Sequence, residues 1–550
     1  MSDVDFLTKA PFHLNAESVA WVHATLASLS PDERLGQLFV FASMGKDPGE
    51  PDRLAALKPA GVTRFFTPDS DYERAFMDKI RTEARIPLLI SADLEGSRMS
   101  LPFGTEVPNP LALAAVDDIQ ASRSIARIMA EEAVAMGINW SFTPVLDINA
   151  AFRSPIVATR SFGSDVARIE QQALVQIAEF QAAGLAATVK HWPGEGHDDR
   201  DQHLVTTSNP LSLDDWETSH GRLYRAAIAA GVMSVMSAHI GFPAYMKAKG
   251  VTGIEAFRPA SINRMLNLGL LRETLGFNGL IVSDATPMAG LGAWGPCADT
   301  LPQVIESGCD LILFAADPEA AVAAVRAALA DGRISAERHK TALLRILGLK
   351  AALGLQRGPK PASIVANAVS RATARAVTAR APVLEKDVAG LFPISVQSHR
   401  RVLVVSSGII SPIHGVAPFG LPDLLRAEGF EVTLFAGPGD MPDPVGFDLM
   451  LYLFGEETLL TRGRIFLDWA KISGNFQAAM ARHWHRVPTA MISFGYPYYL
   501  YDAPRVPTYV NAFSTMDTMQ AAVVDCMLGR APWAKTSPVD AFCGLEDARY

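Results

Sequence analysis

Two segments of the chain carry residue types that could break and make a bond. The first runs Lys190-His191-Trp192-Pro193-Gly194-Glu195-Gly196-His197-Asp198-Asp199-Arg200-Asp201-Gln202-His203. It follows an apolar run and mixes glycines, a proline and many ionisable groups, so it reads as a polar loop in a functional position. Its chemistry stays open on residue types alone. It could be a solvated surface loop, it could ligate a metal through His and Asp, or it could supply acid/base groups beside a carbohydrate. The second segment runs from Gly276 to Asp284 and ends an apolar strand in Ser283-Asp284. A lone Asp at a strand end often caps the next helix. Paired with a proton carrier in a neighbouring loop, it has the parts of a retaining glycosidase.

Such groups must be held by a scaffold, and the sequence describes one. Short apolar runs at 38–41, 62–66, 88–92, 140–142, 187–189, 232–236, 280–282 and 311–314 read as buried strands. Amphipathic helical stretches lie between them, among them 118–136, 164–183, 212–230 and 316–330. Continuously apolar strands alternating with helices predict a (β/α)8-type barrel, with a doubly wound sheet as the runner-up. In a barrel, chemistry belongs at the C-terminal strand ends. Asp93, Asp147, Lys190-His191, His239 and Asp284 follow five of the eight strand candidates. Beyond Gly358-Pro359-Lys360-Pro361 comes an Ala/Arg-rich helical stretch, then a second alternation with strands at 401–405, 430–434, 449–453 and 489–493. The expected organisation is a barrel domain over 1–355, a linker over 356–398 and a smaller α/β sandwich domain over 399–550.

Bulk properties narrow the partners. A formal net charge of −9 and the absence of a Lys/Arg cluster argue against nucleic acid or an anionic membrane. No apolar stretch is long enough to span a bilayer, and the acidic N-terminus is followed by no secretory h-region. Cys297, Cys309, Cys526 and Cys543 are widely spaced, which fits reduced thiols in a cytoplasmic protein.

Several motifs occur together in one order. They are Asp93-Leu94-Glu95-Gly96-Ser97-Arg98, Val107-Pro108-Asn109-Pro110 and Asn139 through Asp147. Thr159-Arg160-Ser161-Phe162-Gly163, the Lys190–His203 loop, Met236-Ser237-Ala238-His239 and Gly276–Asp284 continuing to Met288 and Gly290 follow. This set resembles glycoside hydrolase family 3, and within it the bacterial β-N-acetylglucosaminidase branch. The resemblance implies a barrel domain and retaining hydrolysis from non-reducing ends, with Asp284 as nucleophile. It implies that His203, partnered by Asp201, is the acid/base, and that Asp93, Arg160, Lys190, His191, Asp147 and Met288 hold the terminal sugar. It implies neither cofactor nor metal, and leaves the oligomeric state open. Physical chemistry supports the pair: an imidazole both gives and takes a proton near neutral pH, and a carboxylate orients it.

The chain departs from that branch at the pocket. Ser97 and Leu101 stand where Gly and Arg are usual, Trp192 replaces Phe, Glu195 replaces a His, and Ala285 follows Asp284. Glu195 reads as a solvated loop carboxylate or an extra acid. Trp192 reads as loop packing or a sugar platform. Glu456 and Glu457 read as a carboxylate pair at a helix N-terminus. The leading expectation is a β-N-acetylhexosaminidase, with a β-glucosidase-like hydrolase or a phosphorylase as alternatives. A catalytically silent glycan-binding protein and a metal-dependent hydrolase are the competitors from other classes.

Overall fold

In the computed structural model, residues 6–358, 365–411, 415–437 and 439–550 are described. Eight strands form the first sheet: β1 Phe39–Met44, β2 Gly61–Phe65, β3 Leu89–Ala92, β4 Trp140–Ser141, β5 Thr188–Trp192, β6 Ser234–Ser237, β7 Leu280–Ala285 and β8 Leu311–Leu313. Their order is β4-β3-β2-β1-β8-β7-β6-β5, and every pairing is parallel. The two edges meet. Ser141 N donates to Ala186 O at 2.8 Å and Thr188 N to Thr143 O at 2.9 Å, closing the sheet into a barrel. All eight apolar runs picked out in the sequence are strands here, within a few residues.

The strands bury nearly every residue, because helices cover the outer face and side chains fill the centre. The centre is not purely apolar. Trp140 Nε1 donates to Thr188 Oγ1 at 2.8 Å and to Ser234 Oγ at 2.9 Å, so the indole ties three strands together. The covering helices start where the sequence supplies caps. Asp118 accepts from Gln120 N and Ala121 N ahead of Ile119–Ala135, and Asp165 accepts from Arg168 N ahead of Val166–Ala183. The stretch 212–230 is less regular than expected: Leu213–Trp216 and Arg222–Ala229 are joined by a π-type turn, Glu217–Gly221.

The second sheet contains β9 Val383–Asp387, β10 Arg401–Ser411, β11 Gly415–Ala417, β12 Glu431–Phe435, β13 Leu449–Gly455, β14 Thr489–Ser493 and β15 Thr508–Asn511. Its order is β9-β15-β14-β13-β10-β11, and β12 pairs with the first half of β10. Strand β9 and the helix Ala368–Thr378 both fall within the segment read as a linker, and β9 is an edge of this sheet. The break at Gly358-Pro359-Lys360-Pro361 lies, from Pro359 on, outside the described residues. Among the described residues no helix is long and apolar enough to cross a membrane.

Candidate active site

The C-terminal ends of β3, β4, β5 and β7 converge, as a parallel barrel requires of its loops. Just past β3, Glu95 is the hub of a buried ion cluster. Arg160 grips it with Nε and Nη2 at 2.7 and 2.9 Å, and Lys190 Nζ lies 2.7 Å from its Oε1. Lys190 also donates to Asp93 Oδ1 at 2.8 Å. Burial opposes the charge on Glu95, but Arg160 and Lys190 outweigh it and hold the carboxyl below its usual range. Asp93 keeps a quarter of its side chain exposed beside this cluster. Arg160 and Lys190 are therefore ion-paired within the barrel, and Glu95 is the member that the motif reading left without a role.

Asp147 turns away from open space. Its Oδ1 accepts from His191 N at 3.0 Å and Glu195 N at 2.9 Å, and its Oδ2 faces His191 Nδ1 at 2.6 Å. It orients the imidazole, whose Nε2 lies 3.4 Å from Arg160 Nη2. Asp147, His191 and Glu195 are close enough together to suggest a metal triad. The donor set fits one poorly, because both oxygens of Asp147 already accept from the protein and the His191 Nδ1 is taken.

Asp284 ends β7. Its Oδ1 accepts from Ala285 N at 2.7 Å, while Oδ2 is buried with no hydrogen-bond partner. Burial works against its charge, yet His191, His239 and His203 together hold its carboxyl below the ordinary value.

The loop after β5 brings His203 near enough to Asp284 to act on the charge of its carboxyl. His203 Nδ1 lies 2.7 Å from Asp201 Oδ1, and a carboxylate only accepts, so Nδ1 carries the proton and Nε2 is left to face a ligand. Asp201 is 1% exposed, and its Oδ2 accepts from Thr461 N at 2.8 Å, a group of the second sheet's domain. The loop is pinned onto the turn after β7. Ala289 N donates to His203 O at 3.1 Å and Gly290 N to Gln202 O at 3.2 Å. A Cβ at Gly290 would stand 2.5 Å from Gln202 O, so that close approach requires glycine.

Other expectations resolve plainly. His239 is fully buried, with Nδ1 2.8 Å from Ser261 Oγ and Nε2 3.0 Å from Ala285 O, and is a wall residue. Trp192 is fully buried against Trp216 and Tyr224, so it packs the loop base and offers no sugar platform. Met288 is 7% exposed and begins the short helix Ala289–Gly292. Glu195 is 3% exposed, which removes the solvated reading. Glu456 and Glu457 start no helix. Glu456 accepts from Tyr499 OH at 2.6 Å. Glu457 accepts from Thr515 N at 2.8 Å and from the barrel's Ser97 Oγ at 2.8 Å. Beside the loop opens a cleft of about 750 Å³, whose lining includes Phe152, Arg153, Arg200, Phe257 and Trp294.

Comparison with known proteins follows the same lines. Residues 32–349 match the glycosyl hydrolase family 3 N-terminal domain. A Cellulomonas fimi protein named beta-N-acetylglucosaminidase/beta-glucosidase is 40% identical over 98% of this chain and 99% of its own length. The solved structure of beta-glucoside phosphorylase BglX bound to 2FGlc superposes with a TM-score of 0.92 at 32% identity, covering 98% of this chain and all of its own. A family 3 beta-N-acetylglucosaminidase from Paenibacillus sp. str. FPU-7 shares the fold, with a TM-score of 0.80 at 24% identity, over 94% of this chain and 100% of that one. With the barrel, the ordered motifs and a family match over more than half its length, this chain belongs to glycosyl hydrolase family 3 and is an enzyme of that family.

Proposed function

We propose that the enzyme acts on β-glucosides with retention, through Asp284 as nucleophile and His203, held by Asp201, as acid/base. The carrying observation is the pairing of two free atoms: Asp284 Oδ2 has no partner, and His203 keeps Nε2 free because Asp201 occupies Nδ1. In the first step Asp284 Oδ2 bonds to the anomeric carbon while the bond to the leaving oxygen breaks, and His203, entering as imidazolium, gives that oxygen its Nε2 proton and becomes the neutral ring that keeps Nδ1–H on Asp201. In the second step the neutral imidazole takes a proton from the acceptor, whose oxygen displaces Asp284. The Asp93–Lys190–Arg160–Glu95 cluster supplies fixed charged donors and acceptors for sugar hydroxyls.

Glucose is favoured over N-acetylglucosamine as the terminal sugar. Of the three relatives above, two carry glucoside activity in their names, one of them beside N-acetylglucosaminidase activity, and the chain departs from the acetylglucosaminidase branch around the pocket. A second reading concerns the acceptor. Phosphate in place of water is favoured by the likeness to a phosphorylase and by an imidazole base, which presents no negative charge to an incoming anion.

The test compares p-nitrophenyl β-glucoside with p-nitrophenyl β-N-acetylglucosaminide, with and without inorganic phosphate, for the wild type and His203→Ala. The expected result is higher kcat/KM on the glucoside. His203→Ala should lose about 10²- to 10⁴-fold. Sugar 1-phosphate formation separates the phosphorylase from the hydrolase. Preference for the acetamido sugar would overturn the glucoside reading, and an unaffected His203→Ala would overturn the dyad.

A further inference from the structure

One carboxylate at the site takes no part in that chemistry. Glu195 sits between Gly194 and Gly196, whose φ values are +122° and +108°. A Cβ at Gly196 would lie 1.9 Å from Ile148 O, and one at Gly194 2.4 Å from the His220 ring. Only glycine permits packing this close, so Gly196 seats Glu195 against the loop after β4 while Gly194 seats it against His220 of the Glu217–Gly221 turn. Its backbone confirms the first of these: Glu195 N donates to Asp147 Oδ1 at 2.9 Å, and its carbonyl accepts from Ile148 N at 3.2 Å. The carboxyl group is thereby turned inward.

There it meets Gln202. Gln202 Nε2 donates to Glu195 Oε2 at 3.1 Å, and Gln202 Oε1 accepts from His239 N at 3.0 Å. Glu195 Oε2 also lies 3.5 Å from His191 Nδ1, a nitrogen already bonded to Asp147. Glu195 Oε1 is buried and has no partner. Gln202 stands between Asp201 and His203 in the chain, so whatever holds Gln202 holds the proton carrier.

We propose that Glu195 is a positioning residue whose carboxyl group latches the Asp201–His203 loop, through Gln202, to the wall formed by Asp147 and His191. The inference rests on the dyad reading above. The titratable and charged groups facing Glu195 are Asp147 from the loop after β4, His191 of β5, Arg160 from the 158–160 turn, Tyr224 from the helix Arg222–Ala229, Asp284 from β7 and Asp201 from its own loop. Three of these are carboxylates. The Arg160 fork is taken by Glu95, and His191 Nδ1 is taken by Asp147. An ionised Glu195 would be a fourth anion with a bare buried oxygen. Burial first, and Asp147 next, push its carboxyl well above the ordinary range. Kept neutral, it accepts from Gln202 without adding negative charge beside Asp284.

The experiment uses the full chain with Glu195→Gln, Glu195→Ala and Gln202→Ala, read by melting temperature across pH 5–8 and by kinetics on p-nitrophenyl β-glucoside. A carboxyl whose native pKa is raised costs the fold stability as pH climbs above its unfolded value. Glu195→Gln removes that cost. Its melting temperature is expected to match or exceed the wild type near pH 5, with the advantage growing toward pH 8. Its kcat is expected to stay within about threefold of wild type, since an amide replaces a neutral acid atom for atom. Glu195→Ala and Gln202→Ala are expected to lose about tenfold or more in kcat, with KM changed less, because the loop is misplaced and the sugar wall is not. The proposal is overturned if the Glu195→Gln advantage shrinks as pH rises, or if Glu195→Gln falls as far in kcat as Glu195→Ala. The melting curves need no substrate, so a failure of the glucoside reading is seen separately from a failure of the latch.

Discussion

In the proposed mechanism, Asp284 and His203 divide the work between a charge that is ready and a proton that is mobile. Burial raises the carboxyl of Asp284, but His191, His239 and His203 hold it below the ordinary value, and its Oδ2 has no hydrogen-bond partner among the described residues. Replacing it by Asn removes the nucleophile while keeping the shape. Turnover of p-nitrophenyl β-glucoside is expected to fall to background with the melting temperature close to wild type. Substantial residual turnover would point to a different nucleophile. The sequence showed where such groups sit, since an apolar run ending in Ser-Asp and a polar loop after a strand both imply a barrel's catalytic end. It did not show what each neighbour does. Glu95 looks like any motif acid until Arg160 and Lys190 are seen to close on it, and Glu195 looked solvated because its burial comes from flanking glycines, Gly196 packed on the loop after β4 and Gly194 on the His220 ring. Thr461 was illegible for a different reason. It acts on Asp201 through its backbone N–H, which no side-chain type records.

At the scale of elements, the acid/base loop is held by contacts that permit little adjustment. Gly290 makes one of them, with Gln202 O and Val205 O at 2.5 and 3.0 Å from where a Cβ would be. Gly290→Ala is therefore expected to push the 201–205 stretch off the turn after β7. Activity should fall about tenfold or more, a larger effect than the change in global stability suggests. Parallel kinetics and thermal melts measure both; a fully active variant would mean that the loop position tolerates displacement. The barrel strands were legible because each holds a short, largely buried apolar run, whereas Val383–Asp387, Gly415–Ala417 and Thr508–Asn511 of the second sheet were not picked out. The irregular stretch 212–230 was not, because the apolar periodicity of a helix continues through a π-type turn.

For the molecule as a whole, the two domains meet at the site. Ser97 stands where the family usually has glycine, at φ +49°, and its hydroxyl joins Glu457 at 2.8 Å and Ser514 at 2.9 Å. Two effects of similar size oppose each other there. A non-glycine residue at positive φ costs about 1–2 kcal/mol, and a hydrogen bond to a charged group returns about as much. Ser97→Gly should then be nearly neutral, while Ser97→Ala keeps the strain and loses the bond. The expected ranking by melting temperature is wild type close to Ser97→Gly, both above Ser97→Ala. The reverse order between the two variants would remove this account of the departure. The acid limb of stability follows from Glu95, Asp147 and Asp284, all held below their ordinary values. Their contribution is complete above the usual carboxylate range and is lost as pH falls through their depressed native values, opposite in sign to Glu195. Melting temperature against pH should therefore drop on the acid side in the wild type, and drop less steeply in Glu95→Gln.

The central claim is that Asp284 forms the bond to sugar, and a mechanism-based 2-deoxy-2-fluoroglucoside with a good leaving group tests it most directly. Intact mass followed by peptide mapping should show one fluoroglucosyl adduct, on the peptide containing Asp284, absent from Asp284→Asn. An adduct on another carboxylate, Glu195 among them, or no adduct with an enzyme that turns over the glucoside, would contradict the account.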